Sequence, residues 1–388
     1  FEYWAPGKFV DDAVANPASP IRDEIRASYL ENTVKFAGKR YKLRFLPKVS
    51  ASFPVKENQV LYFTYGHSTV LPHPSYVYTG LDPQFTDRST LSYLGNPDLD
   101  PEVDISYEVG LKSQITSNDA LNVSAFWKDK YDFITSASVQ VKDVTGRDVS
   151  RTIRINSDYA RIRGLEATYI KRVKRWFRGQ LSVAYMTATG QSASASETIK
   201  EILNTGNRED TKEYPLPWDR PLDIKFNTLF LLNNDSGLFN VPWLNKMKLY
   251  VEGNYRSGLR YTPYDFVGYE QYSGRPIYEV STDPNERYSL IGKDWLWFDL
   301  NFYKWWSFKK VELAWTIEIT NILNNQNPAI INPVTGRAYQ YGDPVPTEWR
   351  DPIFNDPRDP RSDNQPPDNP ARYMAQRHIM TGISVKFK

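Results

Sequence analysis

The chain has 388 residues and no cysteine, which removes disulfide frameworks, thiolate metal sites and cysteine nucleophiles together. Lys and Arg number 48 against 46 Asp and Glu, a formal net charge of +2, so no excess of charge points to nucleic acid. No run of about 18 apolar residues exists, which excludes a transmembrane helix. Aromatics nonetheless reach 14%, with 26 Tyr, 19 Phe and 11 Trp, in a chain whose mean hydropathy is only −0.58. A membrane β-barrel has this balance, because one side chain in two faces lipid and its neighbours face a wet lumen. The chain starts at Phe1 with no Met and no signal-peptide pattern, which is read here as truncation or processing.

One helix is expected before any strand. Ser19 can cap it, Pro20 suits the first helical position, and Ile21 to Leu30 follows helical spacing. It is assigned to an extracellular loop segment over residues 1–43, with a strand-built region over 44–388.

Strands of alternating polarity follow. Leu61, Phe63 and Tyr65 alternate with Tyr62, Thr64 and Gly66; Ile105, Tyr107, Val109 and Leu111 follow the same rule, as do Leu121, Val123, Ala125 and Trp127. Further runs lie at Leu181–Tyr185, Ile224–Phe230, Leu249–Tyr255 and Phe298–Phe302. The clearest is Val311, Leu313, Trp315, Ile317 and Ile319, interleaved with Glu312, Ala314, Thr316, Glu318 and Thr320. Period 2 puts each set on one face of a sheet. The runs are roughly 9–15 residues long, enough to cross a bilayer core and longer than an ordinary globular strand.

Short polar turns (56–58, 117–119, 174–175, 307–309, and a longer one at 233–245) alternate with long Pro-rich segments at 67–104, 135–150, 191–218, 259–293 and 324–371. That asymmetry is the barrel pattern of short periplasmic turns and long extracellular loops. The expected fold is therefore all-β: a transmembrane antiparallel β-barrel with about 11 strands in this chain. The last run, Gly382 to Phe387, alternates through Val385 and ends on an aromatic one residue from the terminus.

Several short segments carry a family resemblance. Asn96-Pro97-Asp98-Leu99-Asp100-Pro101-Glu102 precedes Ser106-Tyr107-Glu108-Val109-Gly110; Arg163-Gly164-Leu165-Glu166-Ala167 reads as the start of a later strand; Pro217-Trp218-Asp219-Arg220-Pro221 ends a long loop; and Asn321-Ile322-Leu323-Asn324 stands near the penultimate strand. In this order they resemble the C-terminal barrel of TonB-dependent outer-membrane receptors, over roughly residues 40–388. The resemblance implies half of a barrel of about 22 strands closed by a plug, in the outer membrane of a Gram-negative-type bacterium. The plug and the TonB-contacting segment are not within this sequence. Implied partners are outer-membrane lipid, the TonB complex through a further N-terminal part, a small ligand, and surface lipoproteins or other outer-membrane subunits. Gly382, Val385 and Phe387 resemble the terminal signal read by the barrel-assembly machinery. Gly110 and Gly164 suggest a bulge or a close backbone approach, and Tyr107 and Trp218 suit an aromatic girdle.

The chemistry of an enzyme is not expected. There is no phosphate loop, no G-x-S-x-G and no H-E-x-x-H, and no cofactor is implied. His67 and His73 fall in one presumed external loop without further ligands at recognisable spacing. The Asp351–Asp368 stretch lacks the spacing and glycine of a calcium loop. Glu312 and Glu318 stand roughly 20 Å apart on one strand, too far for a glycosidase pair. A candidate ligand-contact loop gathers Tyr264, Phe266, Tyr269, Tyr272 and Tyr278 with Arg260 and Arg275, types suited to a sugar, peptide or aromatic ligand. Loop-on-loop packing is the plainer alternative for these residues. Two other functions remain open: a structural or interaction component of an outer-membrane assembly, and a soluble all-β carbohydrate-binding protein.

Overall fold

The computed structural model describes residues 2–82, 84, 93–142, 145–191, 213–232, 245–283, 285–340, 342–347 and 373–387. It opens with β1 (Glu2–Trp4), α1 (Lys8–Ala15), α2 (Asp23–Asn32), β2 (Val34–Phe36) and β3 (Lys39–Arg44). These strands form a small antiparallel sheet in the order β1-β3-β2. Ala37 and Gly38, at φ 47° and 80°, make the tight turn between β2 and β3.

Then come β4 (Lys48–Lys56), β5 (Gln59–Val70), α3 (Pro74–Tyr78), β6 (Tyr93–Leu94), β7 (Glu102–Thr116), β8 (Asp119–Lys142), β9 (Asp148–Val173) and β10 (Phe177–Gly190). They are followed by β11 (Tyr214–Pro215), β12 (Leu222–Leu232), β13 (Met247–Arg256), β14 (Arg260–Tyr261), β15 (Tyr264–Tyr269), β16 (Pro276–Val280), β17 (Leu290–Ile291), β18 (Trp295–Ser307), β19 (Val311–Thr320) and β20 (His378–Phe387).

Eleven long strands, β4-β5-β7-β8-β9-β10-β12-β13-β18-β19-β20, form one antiparallel meander in chain order, as the alternating runs require. Among the described residues β4 pairs only with β5, and β20 only with β19, so the wall has two unpaired edges. Register keeps like with like. Tyr65, Tyr107, Trp127 and Arg163 stand in one row, and Phe63, Val109, Ala125 and Leu165 in the next. One face is apolar and exposed, carrying Leu61, Phe63, Val109, Leu165, Leu181, Ile383 and Phe387. The other carries Glu108, Glu166, Glu252, Asp299 and Glu318; Tyr62 donates to Glu108 there at 2.7 Å. A continuous apolar face of this size is not left to water by soluble proteins.

Gly110 and Gly164 sit on the polar face without a bulge. A Cβ at Gly110 would stand 2.4 Å from the Tyr62 ring, and one at Gly164 2.5 Å from the Phe126 ring. Each glycine is therefore roofed by an aromatic from the neighbouring strand.

Several sequence expectations need correction. The helix starts later than Ser19 allows: its N-cap is Arg22, without a side-chain cap bond. Ser19 and Ile21 are instead buried, Ile21 in a cluster with Val10, Val14, Tyr29, Val77 and Leu99. A second helix, α1, and the small sheet also occupy this region. The expected loop at 135–150 is mostly strand, because β8 and β9 stay paired as far as Lys142 and Asp148. Arg163–Ala167 consequently lies well inside β9 and does not begin it. His67 is a strand residue paired with Ile105, and its Nε2 meets the Tyr65 hydroxyl at 2.5 Å; His73 caps α3. The segment 259–293 holds two small hairpins, β14 with β17 and β15 with β16. The Asp351–Asp368 stretch, most of the 233–245 turn and most of 191–218 lie outside the described residues.

The Asn96–Glu102 segment ties the N-terminal sheet to the wall. Asn96 Oδ1 accepts from the Asp98 N–H at 2.9 Å, and the two prolines prevent a strand until Glu102. Buried Lys42 of β3 donates to Asp98 at 3.0 Å and Asp100 at 2.8 Å. Arg44 reaches Asp100 at 3.2 Å and Asp132 at 2.8 Å. Asp132 has φ +56° where the β8–β9 register shifts. Below this network, Tyr29 donates to Asp11 at 2.7 Å, and burial, then that bond, hold its phenol well above the ordinary tyrosine range. Replacing Lys42 by Met leaves the facing carboxylates without their buried cation, a loss of about 3 kcal/mol or more. Limited proteolysis of K42M should then cut within residues 2–44 much faster than wild type, while the long strands stay protected.

Candidate functional site

The aromatic segment folds as the β15–β16 hairpin, at the end of the wall that carries the long connections. Phe266 is its centre, with Tyr269 at 5.0 Å and Tyr278 at 5.7 Å between ring centroids, both edge-on. Tyr272 stands at the tip, 98% exposed, while Tyr264 and Tyr278 are half-buried. The Tyr278 N–H donates to Thr347 at 3.0 Å, which ties the hairpin to the segment before β20. Arg275 lies just before β16, where its carbonyl accepts from the Glu270 N–H at 2.8 Å and closes the hairpin loop.

Arg260 does a different job. Its Nε donates to Asp219 at 2.5 Å, and Asp219 is only 1% exposed. The other Asp219 oxygen accepts from the Ala188 N–H at 3.0 Å. Burial pushes the Asp219 carboxyl above the usual carboxylate range, against the opposing pull of Arg260. The Trp218–Pro221 turn is thus clamped between β10 and β14, and Arg260 is its strut. Sequence spacing had grouped Arg260 with the hairpin because the two are adjacent along the chain.

A second cluster lies on the polar face nearby and was missed in the sequence. Arg220 stacks 3.8 Å from the ring centroid of Trp295, whose indole N–H is buried without an acceptor among the described residues. Arg256 pairs with Asp223 at 2.8 Å and lies 6.0 Å from Trp297. Burial, then repulsion from Arg256, lower the Arg220 guanidinium from its ordinary value, although it stays charged near neutrality. Arg220, Asp223 and Arg256, with Glu166 and Lys225, border a recess of about 540 Å³. The available signal was the Trp295-Leu296-Trp297 alternation, which puts both indoles on the polar face opposite Arg256 and Asn254.

With this geometry described, comparison with known proteins decides the family. The family described as TonB dependent receptor-like, beta-barrel matches residues 22–322. The chain belongs to it. Among solved structures, the wall is similar to the outer membrane transporter YddB from Escherichia coli, at 13% identity and TM-score 0.47 over 75% of this chain and 37% of that one. It is also similar to the ferric-catecholate import receptor Fiu of E. coli, at 11% identity and TM-score 0.47 over 87% and 34%. A third is the siderophore receptor PirA from Pseudomonas aeruginosa, at 10% identity and TM-score 0.41 over 74% and 40%. The chain spans between 34% and 40% of the length of these three. No curated protein matches it.

TonB-dependent receptors are outer-membrane barrels and transporters, not enzymes. Membership assigns the two faces: the apolar one meets lipid, the polar one lines the lumen. The Arg220–Trp295 cluster is therefore on the lumen side, near the mouth bordered by the hairpins. Asp219→Ala leaves the partly buried Arg260 guanidinium without its counter-charge and should cost about 3 kcal/mol. Asp219→Asn keeps an acceptor for the Ala188 N–H and should cost less. The temperature at which the detergent-folded receptor loses its compact electrophoretic form should fall in that order.

Proposed function

We propose that this chain forms half of the wall of an uptake receptor, which captures a scarce small ligand and passes it inward past a plug with energy delivered by the TonB complex. In this reading the long connections are extracellular and the short turns periplasmic, and residues 2–44 belong to the extracellular cap. The barrel-assembly machinery would engage the final strand through Gly382, Val385 and Phe387. Those residues pair with Thr316, Leu313 and Val311 on β19, and the opposite edge of β20 has no partner among the described residues.

The observation that carries the proposal is the placement of an exposed aromatic hairpin at the rim of a wall whose inner face is charged. Rigid rings at a mouth supply contact area at small entropic cost. Arg260 supports that rim, and the contact role falls to Phe266, Tyr269 and Tyr272, with Tyr264, Arg275 and Tyr278 behind them.

Purifying the intact receptor from host cells with and without TonB tests this. Without energised release the ligand should accumulate on the receptor. Native mass spectrometry should then show a small-molecule adduct enriched in the TonB-deficient host and reduced by Ala at Phe266, Tyr269 and Tyr272. Equal adducts in both hosts, or none, would count against uptake. An adduct indifferent to the substitutions would leave the hairpin as packing only.

A further inference from the structure

At the end of the wall that carries the short turns, the charged residues in the lipid-facing register include Asp119 and Lys171, which neutralise each other as an ion pair at 3.0 Å, and a lysine on a later strand. Lys304 occupies that register on β18, paired with Met247 of β13 and Trp315 of β19. Phe302 and Trp306 share its face, two residues away in each direction. Its ammonium donates to the Asn245 carbonyl and stands 5.7 Å from the Trp306 ring centroid. A recess of about 540 Å³ opens at this point, lined by Lys246 and Lys304 together with Trp305, Trp306, Phe308 and Trp315. Lys246 is placed there by a left-handed backbone, φ +58°, whose carbonyl accepts from the Trp305 N–H at 3.0 Å.

An aromatic girdle explains indoles at the membrane surface. It does not explain two lysines lining one recess among them. A lysine in the lipid-facing register is costly at mid-membrane and tolerated at the interface, where its ammonium can meet phosphate oxygens. Level with Lys304, Trp315 and Ile383 are exposed, and towards the membrane centre the same face continues through Phe302, Ile317 and Ile319 to the exposed Ile379. Positive charge at the interface with an apolar strip running inward is the shape of one lipid: headgroup, glycerol and acyl chain.

We propose that this recess binds an anionic phospholipid from the leaflet beside the short turns, with Lys246 and Lys304 on the headgroup phosphate and Trp306 and Trp315 flanking the glycerol. The site is separate from the ligand mouth, and it does not depend on the uptake reading. It requires only the membrane wall.

Native mass spectrometry of the intact, detergent-purified receptor tests it, with phosphatidylglycerol, phosphatidylcholine or diacylglycerol added. Phosphatidylglycerol should be retained as one adduct more strongly than either of the others. The Lys246→Gln, Lys304→Gln double variant should bind it about thirtyfold more weakly, and Lys246→Gln alone about fivefold. The single variant lies in the turn and leaves the packed Lys304 untouched, so the test stands if the double variant folds poorly. Equal retention of phosphatidylcholine or diacylglycerol, or no loss in the Lys246→Gln variant, overturns the proposal. Displacement of the adduct by equimolar inorganic phosphate does so as well, since it would mean a site for a free anion.

Discussion

A backbone inside a bilayer has no water with which to satisfy its N–H and C=O groups, so every strand in the wall must be paired on both sides. That requirement accounts for most of the architecture. It favours a meander in chain order, with each strand beside its predecessor, because short turns then complete the pairing at the least entropic cost. It fixes the alternation of side chains, since a one-residue slip would move Leu313, Trp315, Ile317 and Ile319 into the lumen and Glu312 and Glu318 into lipid. It also makes the edges of β4 and β20, unpaired among the described residues, the two places where the wall is open.

The strands were the most legible part of the sequence, for the same reason. Alternation of Glu and Thr with Trp and Ile along 311–320 has no other economical explanation, and the wall has eleven long strands where about 11 were expected. Legibility ended where lipid no longer sets the pattern. Beyond the membrane β8 and β9 continue as a paired ribbon, with Thr135, Ser136, Thr152 and Arg154 buried beneath neighbouring segments. Those polar residues gave the sequence a loop-like character. The N-terminal sheet was invisible because its strands are three to six residues long. Its hold on the wall comes from Lys42 and Arg44 meeting Asp98, Asp100 and Asp132, contacts between residues far apart in the chain.

The mouth shows the same division. The aromatic hairpin could be found by composition, since Tyr264, Phe266, Tyr269, Tyr272 and Tyr278 crowd one short stretch. Arg260 could not be separated from it by spacing alone, because its partner Asp219 lies 41 residues earlier. The stack of Arg220 on Trp295 joins a loop residue to the first residue of a strand that is its neighbour only in the folded sheet. Such clusters become visible once the register is known, and the register follows from the lipid-facing pattern.

The most direct test of the two-faced wall is a spin-label scan of β19 in the intact receptor reconstituted in lipid, one label at a time from position 312 to 319. The account predicts that collision with oxygen, which concentrates in lipid, peaks at 313, 315, 317 and 319. Collision with a water-soluble nickel chelate should be highest in the gaps, at 312, 314, 316 and 318. A profile with no period of two, or one with oxygen and nickel exchanged, would contradict the assignment of lipid and lumen faces and the functional reading built on it.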